Sequence, residues 1–196
     1  MADRIVEMIE GAARALVLGD PRAVATHVGP VIDAEAKGKL DQWIAAHGRR
    51  VIFRHDGAPA KGTYVAPAII ALDRARDLTE EVFGPVLHVV RWRAGALEAL
   101  IDDIAANGYG LTLGIHTRID ASAAHIVARL ANGNVYVNRN MIGAVVGTQP
   151  FGGSGLSGTG PKAGGPNYLR RFATEQVVTV NTSAAGGNAS LLAEGE

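Results

Sequence analysis

The sequence of 196 residues contains no cysteine. Disulfide bonds, thiolate metal sites and cysteine nucleophiles are therefore excluded within this chain. An excess of charge of either sign is also missing, because 19 lysines and arginines balance 19 aspartates and glutamates. A formal charge of zero argues against nucleic acid or an anionic membrane surface as the partner of this chain.

Long apolar runs are missing as well, since no stretch approaches the roughly 18 residues that span a membrane. No basic and then apolar leader follows Met1, so nothing suggests secretion, and we predict a cytoplasmic protein. Apolar residues nevertheless make up 47% of the chain. That fraction can fill a substantial core in one large domain, or in a domain with an arm.

The spacing of apolar residues predicts strands that alternate with helices. Helices are expected at 5–16, after the cap Asp33, at 97–104, and after a cap at Asp120 or Ser122. Strands are expected at 51–53, 64–70, 86–92, 111–116, 134–138 and 176–182. This alternation is typical of an α/β fold with a mainly parallel sheet and flanking helices.

The end of the chain is expected to leave this fold. We predict one domain at 1–174 and an arm strand at 175–182, because the last strand follows a glycine-rich loop. Residues 183–196 are small, polar and rich in glycine, which predicts a disordered tail.

The most informative stretch is the glycine-rich run from Pro150 to Gly160. A glycine-dense loop allows close backbone approach or turns in which a side chain would clash. The alternative is a flexible linker, but linkers are usually repetitive and rarely begin with Pro-Phe. We therefore interpret this run as a shaped loop beside a site. It contains the string Gly153-x-Gly155-x-x-Gly158, which we take as accidental because no helical pattern follows it.

Metal and phosphate signatures are otherwise weak. The six histidines show no pairing at metal-ligand spacing, and the Walker phosphate loop is absent. His88 and His116 lie in predicted strands, where we expect structural roles.

A second informative segment runs from Glu80 to Pro85, between two predicted strands. The Gly-Pro turn at its end can hold Glu81 and Phe83 pointing the same way, as alternate residues. A carboxylate can accept two hydrogen bonds from a ribose, and a flat aromatic can back a flat heterocycle. The alternative for this loop by itself is a solvated glutamate and a core phenylalanine.

Four segments in this order and spacing resemble the aldehyde dehydrogenase superfamily. They are Glu81 to Pro85, Asn107 to Leu111, Gly133 to Asn138, and Pro150 to Gly153 together with Ser157-Gly158. The segments 143–149 and 160–168 carry a narrower resemblance to the L-glutamate γ-semialdehyde (Δ1-pyrroline-5-carboxylate) dehydrogenase domain of bacterial proline utilization A proteins. The resemblance covers roughly residues 2 to 182.

This resemblance implies roles for five residues. Glu81 resembles the glutamate that holds the nicotinamide ribose of NAD, and Phe83 the aromatic that packs near the nicotinamide. Gly143 and Ala144 resemble the anchor whose backbone amides bind the substrate carboxylate. Phe151 resembles the aromatic wall of the aldehyde pocket. Three further implications concern Asn138 as a buttress, 176–182 as a strand that pairs with a partner subunit, and assembly into a homo-oligomer.

One departure from the family is large. Its members attack the aldehyde with a cysteine thiolate, and the resulting thiohemiacetal passes a hydride to NAD. This chain has no cysteine. It resembles the part of the catalytic domain that follows the nucleophile, without the nucleotide-binding domain.

Two hypotheses of different classes therefore remain. The chain is either the C-terminal fragment of an NAD-dependent glutamate semialdehyde dehydrogenase, inactive alone and with weak or no NAD binding, or a self-standing non-catalytic binding or oligomerisation module. In both cases we expect association with other copies, because the apolar faces of the first two helices would be left uncovered.

Overall fold

The computed structural model describes residues 1–142 and 148–181, together with Ala184. The helices of this part of the chain are α1 (Ala2–Arg14), α2 (Ala34–Ala46), α3 (Leu97–Ala106) and α4 (Asp120–Arg129). The strands are β1 (Val51–Arg54), β2 (Ala68–Leu72), β3 (Val86–Val90), β4 (Tyr109–Gly110), β5 (Thr112–Ile115), β6 (Asn134–Val137) and β7 (Ser154–Gly155). Short 3₁₀ turns lie at 48–50, 75–77 and 169–172.

The α/β character is confirmed, but the described residues form three small sheets instead of one mainly parallel sheet. The first has the order β1-β2-β3, in which β1 is antiparallel to β2 and β2 is parallel to β3. Strands β5 and β6 form a parallel pair, and β4 and β7 form an antiparallel pair. The antiparallel contact of β1 arises because residues 55–67 return the chain without a helical crossover, which parallel pairing would require.

The core of the first sheet is closed by α2. Leu40 and Ile44 lie on its inner face and pack in one cluster with Val65 and Ala68. Helix α2 begins where the sequence predicts, because the side chain of Asp33 accepts a hydrogen bond from the backbone N–H of Ala36 at 2.7 Å. The apolar face of α2 is therefore covered, contrary to the sequence-based expectation.

Helix α1 is different, since Val6 is its one buried residue. Its remaining apolar side chains face solvent or border a groove of about 450 Å³ beside β2 and β3. For α1 the expectation of an uncovered apolar face is met.

Three local predictions were wrong. Strand β2 begins at Ala68 and not at 64, because Pro67 lacks the N–H that a ladder requires. Strand β3 is only partly buried, although its apolar run predicted a buried strand. Helix α4 has neither Asp120 nor Ser122 as its cap; its N-cap is Ile119, and no side chain caps it.

The predicted arm strand is not formed within this chain. Residues 173–181 adopt neither helix nor strand, and Val177, Val178 and Val180 are exposed. The prediction concerned pairing with a second subunit, which a single chain does not test. Residue 182 and most of the predicted tail lie outside the described residues.

A buried carboxylate ties α3 to the turn after β2. Asp103 is 4% exposed, and its oxygens accept hydrogen bonds from Arg74 at 2.7 and 2.9 Å and from Arg76. The hydrogen bond from Arg74 is the main cause that lowers the pKa of Asp103, with Arg76 adding to it. The ionised carboxylate therefore stabilises the folded chain.

We predict that Asp103→Asn lowers the melting temperature at pH 7. A folded-state pKa below the unfolded value means that the stabilisation is complete above about pH 4 and is lost as the pH falls further. The variant should therefore also lose part of the acid destabilisation, measured by thermal unfolding between pH 3 and 7. Asp102→Asn is the matched control, since Asp102 pairs with Arg129 on the surface; an equal effect of both variants would contradict the prediction.

Candidate functional site

A groove of about 660 Å³ lies between α2 and the loop that precedes β3. Glu81 and Phe83 both line it, and Phe83 is 86% exposed. Val82, which stands between them, packs against the core cluster. The alternation predicted for this loop is therefore present, and Phe83 is not a core residue.

The opposite side of the groove is formed by α2. Its lining includes Lys39 and Trp43. The carboxylate of Glu35 accepts a hydrogen bond from Lys39 and is the first cause that raises the pKa of this lysine. The groove is thus lined by two aromatic residues, four carboxylate residues and one lysine that is paired with Glu35, a set that suits a heterocycle joined to a hydroxylated sugar.

The Glu81 loop is tied to the second of the four motif segments. The backbone N–H of Glu81 donates to the hydroxyl of Tyr109 at 3.2 Å. Tyr109 and Gly110 form β4, which pairs with Gly155 and Ser154 of the glycine-rich run. Tyr109 therefore connects the groove to the glycine-rich loop.

Asn134 joins the third and fourth segments. Its amide nitrogen donates to the carbonyl of Pro150 at 3.0 Å, and its amide oxygen accepts from the N–H of Gly152 at 3.2 Å. Both backbone neighbours of Phe151 are thus held by one side chain. The four segments that are separate in the sequence form one hydrogen-bonded assembly.

Two glycines of this assembly are required by close backbone approach. A Cβ atom on Gly133 would lie 1.8 Å from the carbonyl oxygen of Gly152 and 2.6 Å from Nζ of Lys162. Gly155 has φ +61°, and a Cβ there would lie 2.4 Å from the carbonyl oxygen of Gly108. The loop is therefore shaped by contacts with its neighbours, and the linker alternative is excluded.

Phe151 lies near the start of this loop, and hydrogen bonds fix its backbone. Its N–H and C=O exchange hydrogen bonds with Ala163 at 3.1 and 2.9 Å. Lys162 donates to the carbonyl of Gly152 and, at 3.3 Å, to that of Gly160. Phe151 as a whole is half-buried.

Two other predictions concern nearby residues. Asn138 acts as a buttress: its amide donates to the carbonyl of Thr117 at 2.9 Å and accepts from the N–H of Thr117 at 3.0 Å. It supports the turn after β5 and not the glycine-rich loop. Gly143 and Ala144 lie outside the described residues.

Within residues 1–142 and 148–181, no group of three or more histidine, aspartate or glutamate side chains could hold a metal ion. The string Gly153-x-Gly155-x-x-Gly158 is followed by turns and not by a helix, so it is not a dinucleotide-binding fingerprint. No helix of the described part is long and apolar enough to cross a membrane.

Sequence reasoning missed three residues that organise the site, namely Tyr109, Asn134 and Trp43. Tyr109 and Asn134 stand inside the motif segments, so their position offered a signal. For Trp43 the signal is its indole N–H, because a tryptophan that packs on a helix needs a hydrogen-bond partner for that group.

Comparison with known proteins places this geometry in context. The bifunctional protein PutA of Escherichia coli is 52% identical over 181 residues, which are 88% of this chain and 14% of that protein. A Bradyrhizobium japonicum proline utilization A mutant of known crystal structure is 63% identical in sequence. The two structures match with a TM-score of 0.83, over 94% of this chain and 19% of that chain. Thermus 1-pyrroline-5-carboxylate dehydrogenase with bound NAD is 32% identical in sequence. Its structure matches with a TM-score of 0.76, over 86% of this chain and 33% of that chain.

The chain thus spans between about a seventh and a third of the length of these relatives. The model of the aldehyde dehydrogenase family matches residues 1–178, which include all four hydrogen-bonded segments. The resemblance inferred from those segments is confirmed, and this chain belongs to the aldehyde dehydrogenase family.

Proposed function

We propose that this chain is the C-terminal part of the catalytic domain of an NAD-dependent L-glutamate γ-semialdehyde dehydrogenase, which oxidises the semialdehyde to glutamate in proline catabolism. The observation that carries the proposal is the hydrogen-bonded assembly of the four motif segments around the Glu81 groove and Phe151. The names of the relatives supply the substrate class, because they are PutA and 1-pyrroline-5-carboxylate dehydrogenases.

In this proposal the groove takes the nicotinamide end of NAD, which accepts a hydride during the reaction. The carboxylate of Glu81 accepts hydrogen bonds from the hydroxyl groups of the ribose, and Phe83 packs beside the nicotinamide ring. Support comes from the exposure of both side chains towards the same groove and from the donors and acceptors around it. The chain's own contribution is to bind and orient the cofactor.

The substrate would be bound by three other residues. Phe151 would form the wall of the aldehyde pocket, and the backbone amides of Gly143 and Ala144 would bind the substrate carboxylate. Support for Phe151 comes from its fixed backbone and its partial exposure. The nucleophile and most of the cofactor site would have to come from other residues, since this chain contains no cysteine.

A chimera tests the proposal directly. In E. coli PutA, the 181 matching residues are replaced by the corresponding residues of this chain. If the proposal holds, the chimera retains oxidation of glutamate semialdehyde with NAD. A folded chimera without this activity would favour the alternative, a non-catalytic binding or oligomerisation module.

In this chimera, Glu81→Gln should impair cofactor positioning and hydride transfer. A neutral amide accepts hydrogen bonds from two ribose hydroxyls less well, at a cost of about 1–3 kcal/mol. NAD affinity and single-turnover hydride transfer are the measurements. Glu80→Gln is the matched control, because Glu80 lines the same groove without an assigned role. Unchanged affinity and transfer rate in Glu81→Gln would remove Glu81 from the site.

We further propose that residues 175–182 join copies of the chain. The exposed valines at 177, 178 and 180 and the uncovered face of α1 support association, because exposed apolar surface recruits other chains.

Sedimentation of the intact chain beside a version that ends at Thr174 tests this proposal. We expect oligomers of the intact chain and a smaller species after truncation. If both versions sediment as the same monodisperse monomer, the arm is not an association element.

A further inference from the structure

Trp43 lies between the groove and a histidine of the first sheet. It is one of the residues that line the groove, together with Glu81 and Phe83. On the other side, its Nε1–H donates to Nε2 of His88 at 3.0 Å, and the two rings meet edge to face with centroids 5.9 Å apart. The orientation of this groove wall is therefore linked to a residue on β3.

The hydrogen bond depends on the protonation state of His88. An indole N–H can only donate, so Nε2 of His88 must be unprotonated to accept from it. Burial lowers the pKa of His88, and the charge of His47 lowers it further. His88 is thus neutral at pH 7, and the bond to Trp43 is present under that condition.

Two elements pack around His88. On the sheet side, it pairs in register with Ile70 of β2, which carries no charge. On the helix side stand Trp43 and His47, whose rings are 4.4 Å apart, and Nδ1 of His47 donates to the carbonyl of Trp43 at 2.9 Å. Among the described residues, His47 is the titratable group whose charge acts on His88.

We propose that His88 is a positioning residue, whose neutral imidazole fixes Trp43 as an aromatic wall of the groove and whose protonation releases that wall. The identity of the occupant, the nicotinamide end of NAD, rests on the function proposed above. As the pH falls, His88 gains a proton at Nε2, the Trp43 N–H loses its acceptor, and the groove binds a flat heterocycle less tightly.

The first test uses the chain itself and needs no ligand. Trp92→Phe leaves Trp43 as the one tryptophan, because the chain contains two. A protonated imidazole quenches indole fluorescence, so we expect emission from Trp43 to fall in a transition below about pH 6.5. His47 also lies against Trp43 and can quench it, so the decisive variant is made in a His47→Gln background, where adding His88→Leu should abolish this transition.

His47→Gln separates the two histidines. Removal of the charge on His47 should raise the pKa of His88, so the transition should remain and move to higher pH. A transition that persists unchanged when His88→Leu is added to His47→Gln would overturn the assignment, and so would its disappearance in His47→Gln alone.

The second test measures function in the PutA chimera. We expect KM for NAD to rise below pH 6.5, and His88→Leu to raise KM about three- to tenfold at pH 8 while kcat changes little. The variant should also lose the acid rise in KM. A KM and a pH profile equal to those of the parent would overturn the positioning role.

The two proposals fail in different ways. If Glu81→Gln leaves NAD binding unchanged while the fluorescence transition follows His88, the assignment of the groove to NAD fails and the coupling of His88 to Trp43 stands. If Glu81→Gln weakens NAD binding by the chimera while the pH transition of Trp43 emission is unchanged by His88→Leu in the His47→Gln background, the coupling fails and the proposed function stands.

Discussion

The isolated chain of 196 residues is expected to show no oxidation of glutamate semialdehyde with NAD. Aldehyde dehydrogenases need a thiolate to form the covalent intermediate from which the hydride leaves. This chain contains no cysteine to supply that thiolate. NADH formation followed at 340 nm gives the measurement, with the PutA chimera as the active control.

Traces of a host enzyme are the main source of a false signal in this assay. Turnover that survives repurification and is lost in Phe151→Ala would contradict the prediction, because it would belong to the aldehyde pocket of this chain. Turnover that is unchanged in Phe151→Ala would indicate a contaminant.

NAD binding by the isolated chain should also be weak or absent, because contacts to one end of the cofactor seldom outweigh the entropy lost on association.

Gly133→Ala is expected to cause the largest loss of stability of any alanine substitution at the site. The added Cβ would lie 1.8 Å from the carbonyl oxygen of Gly152, a backbone atom that cannot turn aside as a side chain can. The two segments must move apart, which strains the hydrogen bond that Asn134 donates to Pro150 and the one that it accepts from Gly152. We expect a cost of about 3 kcal/mol or more, measured as the shift in urea unfolding.

Gly11→Ala is the matched control for this substitution. Gly11 lies inside α1, and a Cβ there would meet nothing within 4 Å. The same chemical change should therefore stabilise the chain by about 0.5–1 kcal/mol, because alanine loses less backbone entropy in a helix. Equal losses at both positions would show that the contact between Gly133 and Gly152 does not shape the site.

Much of the local structure could be predicted from the sequence. The cap at Asp33, the apolar stripe of α2 and the strands β5 and β6 follow from residue type and spacing over a few positions. The family could also be identified, because the four motif segments keep their order and spacing. Glu81 and Phe83 were placed on one side of a loop by alternation alone, and both do line one groove.

Contacts between distant segments could not be predicted in this way. The division into three small sheets depends on which strands meet, and strand pairing is a non-local choice that periodicity does not encode. The segment predicted as a strand at 176–182 has the β-branched composition of a strand, but its described residues, 176–181, adopt no strand, because composition does not supply the second strand that a ladder needs.

The sequence by itself determined the family, the absence of a cysteine nucleophile and the chemical types present at the site. Only the tertiary structure decided that Tyr109, Asn134 and Lys162 hold the motif segments together, and that His88 reaches Trp43 across 45 positions of chain. The physical reason is the distance along the sequence over which each kind of interaction acts. Propensity, capping and alternation act over a few residues, whereas these hydrogen bonds exist only once separate elements have packed against one another.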